Sequence, residues 1–388
     1  MIPDKTSENV APKPRTLIAP KPRARKLTSA LAALVLLSCL AATASAQGDP
    51  HSRPLGDSRI FTPLPAQPGF PESIAVSGDR VYVSGGAQFG YFVPPAVLAF
   101  DIETGQQVAS YPLQGENPNF PMAGTGLAFA KNGVLYVGDL QQGVLRFDVD
   151  QPGAIQEHYA SALPDLPTCA SVAAGTPCSP TAIDQPPLIN DLVFDKDGNL
   201  YITDSFQATI WRVPPGGGAP QIWFQSSVLD TSFAANGMRL DPKGERAYFS
   251  LTFDAFGQGF IYSLPLKAHP AESDLQLFHT YTPGAGPDGI AFGKSGKLYV
   301  ALAGYNQISV LGPDGTEQAR YSGPAANPAD PQNPLPWANP SAIAFDDRTR
   351  SLLVDNHAIF FPNPQQFFAV FDVFVDDKAD HLAEPHIP

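Results

Sequence analysis

Four side chains in this sequence combine types and spacing that suit a hard cation. Glu72, Asn190, Asn236 and Asp288 each open a short apolar run: Glu72-Ser-Ile-Ala-Val, Asn190-Asp-Leu-Val-Phe, Asn236-Gly-Met-Arg-Leu and Asp288-Gly-Ile-Ala-Phe. Two further runs of the same form open on Thr125 and Ser341. Two carboxylates and two carboxamide oxygens match Ca2+, which takes six to eight oxygens and tolerates irregular geometry. Four side chains leave coordination positions open for water and a substrate oxygen. No His or Cys stands at a lead position, which disfavours zinc. An open cation polarises a carbonyl or phosphoryl oxygen, and a carboxylate beside it serves as base toward water or as nucleophile. Asp288 is the candidate for that role. Asp191, next to Asn190, is a candidate partner that orients a ligand, or else a residue that opens a strand.

These residues lie far apart in the chain, so the fold must bring them together. Nine to eleven residues after each lead comes a second apolar run, among them Val81-Tyr-Val, Leu135-Tyr-Val, Leu200-Tyr-Ile and Leu298-Tyr-Val. The leads recur every 46–65 residues, the signature of a radial repeat. No long helical period follows residue 46. Strand-length runs alternate instead with Gly, Pro, Asn and Asp, as in Asp195-Lys-Asp-Gly and Lys294-Ser-Gly, and a second hairpin follows the first. Six repeats of four antiparallel strands predict an all-β, six-bladed β-propeller. Ser58–Thr62 is expected to close the ring beside 367–375. In such a ring each lead begins an innermost strand, and the longest connections return to the same face. These are Leu163–Leu188, Ala325–Trp337 and Ser84–Pro95, the last with Phe89, Tyr91 and Phe92. Those three aromatics and Trp337 are expected either to wall a pocket or to cap blade edges.

The first 46 residues read as a signal peptide. Lys21, Arg23, Arg25 and Lys26 precede a mostly apolar stretch from Leu27 to Leu40, and Ala44-Ser-Ala46 is a cleavage signal. Two alternatives are lipidation at Cys39 and an uncleaved anchor. Cleavage after Ala46 leaves a single domain, 47–388, of 342 residues, expected as a monomer in the periplasm or secreted. The leader carries seven Lys/Arg and two Asp/Glu of the chain's 24 and 37, so the remainder has a net charge near −18. Such a surface repels phosphate backbones and anionic lipid, which argues against nucleic acid and membrane partners. Cys169 and Cys178, the remaining cysteines, are expected to pair across eight intervening residues.

With Asn190-Asp-Leu-Val-Phe-Asp-Lys-Asp-Gly, Ala235-Asn-Gly-Met and Pro287-Asp-Gly-Ile-Ala-Phe, the chain from about residue 60 to 375 resembles the SMP-30/gluconolactonase family of calcium-dependent six-bladed propellers. It is also similar to the phosphotriesterases of the diisopropylfluorophosphatase and paraoxonase kind. The resemblance implies that Glu72, Asn190, Asn236 and Asp288 hold a catalytic calcium, with Asp288 as proton acceptor. The chain departs from the family pattern after Glu72, where Ser-Ile replaces Gly-Pro, and no counterpart of the substrate-guiding arginine is assignable.

Together these features predict an exported hydrolase of cyclic esters, acting on a small-molecule lactone or ester and open to aryl esters or organophosphates. A second reading is a non-catalytic NHL-like propeller that binds a ligand or protein on its loop-rich face. A third is a metal-free enzyme like strictosidine synthase, against which the acid and amide set argues. His357 falls on a blade 6 loop facing the site. It is a candidate for substrate contact or proton transfer, or else a loop histidine bonded to Asp355 or backbone.

Overall fold

A computed structural model describes residues 53–87, 93–151, 153–330, 332–380 and 383–387. The expected leader 1–46, Cys39, Phe89, Tyr91 and Phe92 lie outside the described residues. The described chain forms six four-stranded antiparallel sheets arranged as the blades of a propeller. Blade 1 comprises Ser73–Ser77, Arg80–Gly85, Ala96–Asp101 and Gln107–Pro112, in order from the axis outward. Blades 2 to 5 repeat this order from innermost strands Gly124–Ala130, Ile189–Phe194, Phe233–Leu240 and Pro287–Phe292. Blade 6 takes Pro340–Asp346, Ser351–Asn356 and Ala369–Phe374 from the end of the chain. Its outermost strand is Ser58–Pro63 from the beginning. The pairing of Ser58 with Val373 and of Pro63 with Ala369 is the closure expected from the sequence.

The inner hairpins turn where the sequence supplies turn chemistry. The Asp195 carboxylate accepts from the backbone N–H of Asp197 and Asn199, both at 2.9 Å. Gly198 completes that turn at φ +87°, a conformation costly for any residue with a Cβ.

Six apolar clusters fill the six seams between neighbouring blades. Part of the interlock is written in the repeat. The tyrosine of one blade's second strand meets the phenylalanine that ends the next blade's apolar run. Ring centroids are 4.9 Å apart for Tyr82–Phe129, 4.9 Å for Tyr136–Phe194, 5.1 Å for Tyr248–Phe292 and 5.4 Å for Tyr299–Phe345. Such edge-on pairs contribute about 0.5–1.5 kcal/mol each beyond the area they bury. Trp337 belongs to the seam between blades 5 and 6, where its indole N–H donates to Ser58 Oγ. It therefore caps blade edges and does not wall a pocket.

Candidate functional site: an acid and amide collar at the hub

The ladder between the two innermost strands breaks at the lead residue in five blades. Gly124 pairs with Asp139, but Leu127 pairs with Val137, so Thr125 and Gly126 oppose a single residue. The same one-residue bulge spans 190–191, 236–237, 288–289 and 341–342. A bulge bends its strand and re-aims its side chains. In blade 1 the ladder is continuous, and Glu72 sits just before it, its N–H donating to Ser84 O at 3.1 Å.

Glycine after the lead lets adjacent innermost strands meet backbone to backbone. A Cβ on Gly126 would lie 2.6 Å from Asn190 O, and one on Gly237 would lie 2.5 Å from Asp288 O. Hydroxyls from the second strands fasten the same points. Thr203 Oγ1 donates to Asn236 O at 2.7 Å, and Ser250 Oγ donates to Asp288 O at 2.6 Å. The result is a tight collar around the axis. Glu72, Asn190, Asn236 and Asp288 all line one cavity within it, together with Asp191, Arg239 and Ser341. That cavity measures ≈ 10 Å3, about the space of one water or one ion. A larger cavity lies below the collar, but the small one holds the acid and amide set.

The collar is strongly acidic. Burial pushes the Asp288 carboxyl well above the ordinary carboxylate range, and Glu72, Asp355 and Asp191 push it further. A hydrogen bond from Asn236 offsets this in part. Asp355 is wholly buried. Burial raises its carboxyl to about 7 against the lowering effect of the Ala342 N–H, which donates to Oδ1 at 2.6 Å. Its Oδ2 has no hydrogen-bond partner.

Two cations face these acids. Arg239 Nη1 lies 2.5 Å from Asp191 Oδ2, both side chains being buried. His357 places Nδ1 3.1 Å from Glu72 Oε2 and Nε2 2.8 Å from the Ala87 carbonyl. Burial opposes a charge on His357, but Glu72 and the Ala87 carbonyl outweigh it and raise its pKa. Acceptors at both ring nitrogens are satisfied together only by imidazolium. Asp191 faces Arg239 and Glu72 faces His357, whereas among the described residues Asp288 and Asp355 have no ion-pair partner, and these are the two carboxyls whose proton affinity is raised. Among the described residues no three His, Cys, Asp or Glu side chains form a metal-binding group, so a cation here would need the two carboxamides as well.

Several of these contacts were not foreseen. His357 bonds to backbone, as one of its two readings expected, at the Ala87 carbonyl, but its bond to Glu72 was not foreseen, and it does not line the collar cavity. Asp191 is neither a cavity ligand alone nor a simple strand opener. It accepts from Leu192 N, Met238 N and Arg239 Nη1, and so ties blade 3 to blade 4 between Asn190 and Asn236. The sequence does carry a trace of Arg239: the other five repeats have Ala or Val at its position. Cys169 and Cys178 form the expected disulfide, on the same face as the lead residues.

Residues 96–332 match the family model described as the SMP-30/Gluconolactonase/LRE-like region. That span includes Asn190, Asn236 and Asp288, while Glu72 and His357 fall outside it. No curated protein matches the chain by sequence. Among solved structures, regucalcin from Agrobacterium tumefaciens, titled a calcium-binding protein, is 17% identical. The match covers 83% of this chain and 95% of that one, with a TM-score of 0.57. A luciferin-regenerating enzyme is 12% identical over 85% and 99%, with a TM-score of 0.55. A putative gluconolactonase is 16% identical over 83% and 93%, with a TM-score of 0.51. At these identities the structures speak to the fold alone. The family match, covering well over half of the chain, identifies this propeller as a member of the SMP-30/gluconolactonase/LRE-like family.

Proposed function

We propose that the protein is an exported, Ca2+-dependent hydrolase of cyclic esters, a lactonase, with secondary activity on aryl esters or organophosphates. The observation that carries this reading is the collar. Two acids and two carboxamides from four blades share one ion-sized cavity, and one of the acids, Asp288, has no ion-pair partner among the described residues. Glu72, Asn190, Asn236 and Asp288 would hold the cation. When bound, calcium supplies positive charge that polarises the ester carbonyl. Asp288 accepts the proton of the attacking water. Asn190 and Asn236 orient neutral oxygens, and the Asn236 amide is steadied by a 3.0 Å bond from Nδ2 to Thr252 Oγ1. His357 acts through Glu72 as a positioning residue, holding one carboxylate oxygen so that the other faces the cavity. The substrate body, too large for the collar, rests among the connections above it.

The test is a lactone, aryl-ester and phosphotriester panel run on exhaustively chelated protein, with and without added calcium. Turnover that requires calcium and is lost in Asp288→Asn supports the proposal. Turnover that survives chelation rules out the calcium mechanism. A propeller that only binds a ligand or protein, the NHL-like alternative, folds independently of calcium and turns over nothing on the panel.

A further inference from the structure

The positive charges of the blade connections are segregated by face. Six connections join second to third strands and six join one blade to the next, and all of them return to the face that carries the lead residues. None of them contains lysine or arginine. Every lysine after residue 53 stands on the opposite face, in turns such as Lys131-Asn-Gly, Asp195-Lys-Asp-Gly and Lys294-Ser-Gly. The acids are not so divided. Asp165, Asp184, Asp230, Asp254 and Asp330 lie in the lead-face connections. Among the described residues none of the five pairs with a cation. Backbone N–H groups steady Asp230, Asp254 and Asp330 but bring no formal charge. A further acid, Glu116, holds its proton, its carboxyl being pushed up to about 9 by burial and then by Asp139.

The cations nearest this face are already matched. Arg239 is paired with Asp191, and His357 with Glu72. Arg320, whose guanidinium lies over the Tyr305 ring, is held by both oxygens of Glu317. A divalent ion in the collar would be met by the Glu72 and Asp288 carboxylates, so the field at the entrance keeps the sign of the five aspartates. Charge of one sign around a low-dielectric opening raises the local concentration of the opposite ion and lowers that of its own. The face also presents aromatic surface. Phe256 in blade 4 and Phe360 in blade 6 are 85% and 71% exposed, on either side of the blade that supplies Asp288. Ring faces of this kind attract alkylammonium groups.

We propose that the substrates of the collar are cationic esters or lactones, which carry an ammonium group away from the bond that is cleaved, and that anionic esters are excluded. The inference rests on the collar being the hydrolytic site. The aspartates are not a binding site in themselves; they set the charge of what reaches the collar, while the rings of Phe256 and Phe360 accommodate the ammonium group.

Two measurements test this, and the second needs no turnover. The first compares para-nitrophenyl hexanoate with its ω-trimethylammonio and ω-carboxylate derivatives on the calcium-loaded mature protein. At 10 mM ionic strength, where the screening length is about 30 Å, kcat/KM should fall at least tenfold from the cationic to the anionic ester, with the neutral ester between them. At 1 M salt, where that length is about 3 Å, the spread should largely close. Asp165→Lys combined with Asp184→Lys, both at exposed positions, should at least halve the low-salt spread. Equal or reversed kcat/KM values overturn the inference and leave the hydrolytic reading standing. A spread unchanged in the double variant assigns the effect to the whole chain and overturns the role of this face. The second measurement uses Phe256→Cys and Phe360→Cys proteins, in which the native Cys169 and Cys178 are tied in their disulfide. Each new thiol is modified with trimethylammonioethyl and sulfonatoethyl methanethiosulfonate. Relative to the same pair of reagents on N-acetylcysteine amide, the cationic reagent should gain at least tenfold at low salt. A ratio equal to that of the free thiol overturns the inference whether or not any ester is cleaved. Failure of the hydrolytic reading would show instead as no turnover of any ester beside an unaltered thiol ratio.

Discussion

Asp288→Asn makes the sharpest test of the collar, because its two effects on stability have opposite signs. Without a cation, Asp288 is a partly buried acid whose proton affinity is raised by desolvation first and then by Glu72, Asp355 and Asp191. Replacing it with the neutral isostere removes the cost of keeping an acid there, whether ionised beside like charges or protonated at pH 8, and the relief is worth about 1–3 kcal/mol. A domain of this size has an unfolding entropy near 0.7 kcal/mol per degree, taking roughly 2.1 cal/mol/K per residue. The calcium-free variant should therefore melt about 1–4 °C above the calcium-free wild type. With calcium the gap closes. A ligand at about 100 times its dissociation constant stabilises the native state by about 2.7 kcal/mol, or about 4 °C here. The wild type gains that increment, and the variant, one ligand and one charge short, gains little. The assay is differential scanning calorimetry at pH 8 in excess calcium and in excess chelator. A calcium-free variant that melts below the calcium-free wild type would refute the electrostatic account of the collar. A full calcium increment in the variant would remove Asp288 from the ligand set.

Three further outcomes are expected. Gly237→Ala should lower stability by at least about 2 kcal/mol and weaken calcium binding, because its Cβ would lie 2.5 Å from Asp288 O and force blades 4 and 5 apart; melting and calcium titration check both. Glu116 gives a pH dependence away from the collar: burial, followed by the charge of Asp139, pushes its carboxyl up to about 9. The folded state then holds a proton that the unfolded state releases near 4.5, so this group's stabilisation is present below that pH and is lost as pH rises toward 9. Glu116→Gln should melt above the wild type at pH 8.5 and show a flatter stability profile between pH 5.5 and 8.5. Finally, Cys169→Ser should cost about 2.5 kcal/mol or less, as expected for so short a closed loop, and leave calcium binding intact because the bridge lies within one connection.

The architecture was legible because each repeat writes its own contacts. The Leu-Tyr-Val and Leu-Ala-Phe runs foretell two adjacent strands, and the Tyr82–Phe129 type of contact shows them interlocking from blade to blade. The spacing of Glu72, Asn190, Asn236 and Asp288 sufficed to place them around one axis, since every lead occupies the same station in its blade. Contacts between different stations were harder to read. His357 reaches Glu72 across the seam where the ring closes, over 285 residues of chain. Nothing in either residue's neighbourhood points to the other. Asp355 looks like any strand-end acid until its buried, partnerless Oδ2 is seen. Arg239 was visible as a break in a column of alanines and valine, but a lone polar residue in an apolar register reads as surface until the cavities on both sides of it are known.

The seam between the first and last strands has a kinetic consequence. Blade 6 is incomplete until Ser58–Pro63 lies beside Ala369–Phe374, a contact between chain ends that carries a large loop-closure entropy. Five blades can assemble in order as their hairpins form, but the last cannot. A partly made or truncated chain therefore presents a bare β-edge and an uncovered apolar flank, both prone to aggregation. Blade 6 is completed only when the two ends of the described chain meet, so the strand Ser58–Pro63 is as necessary to the closed ring as any residue at the axis.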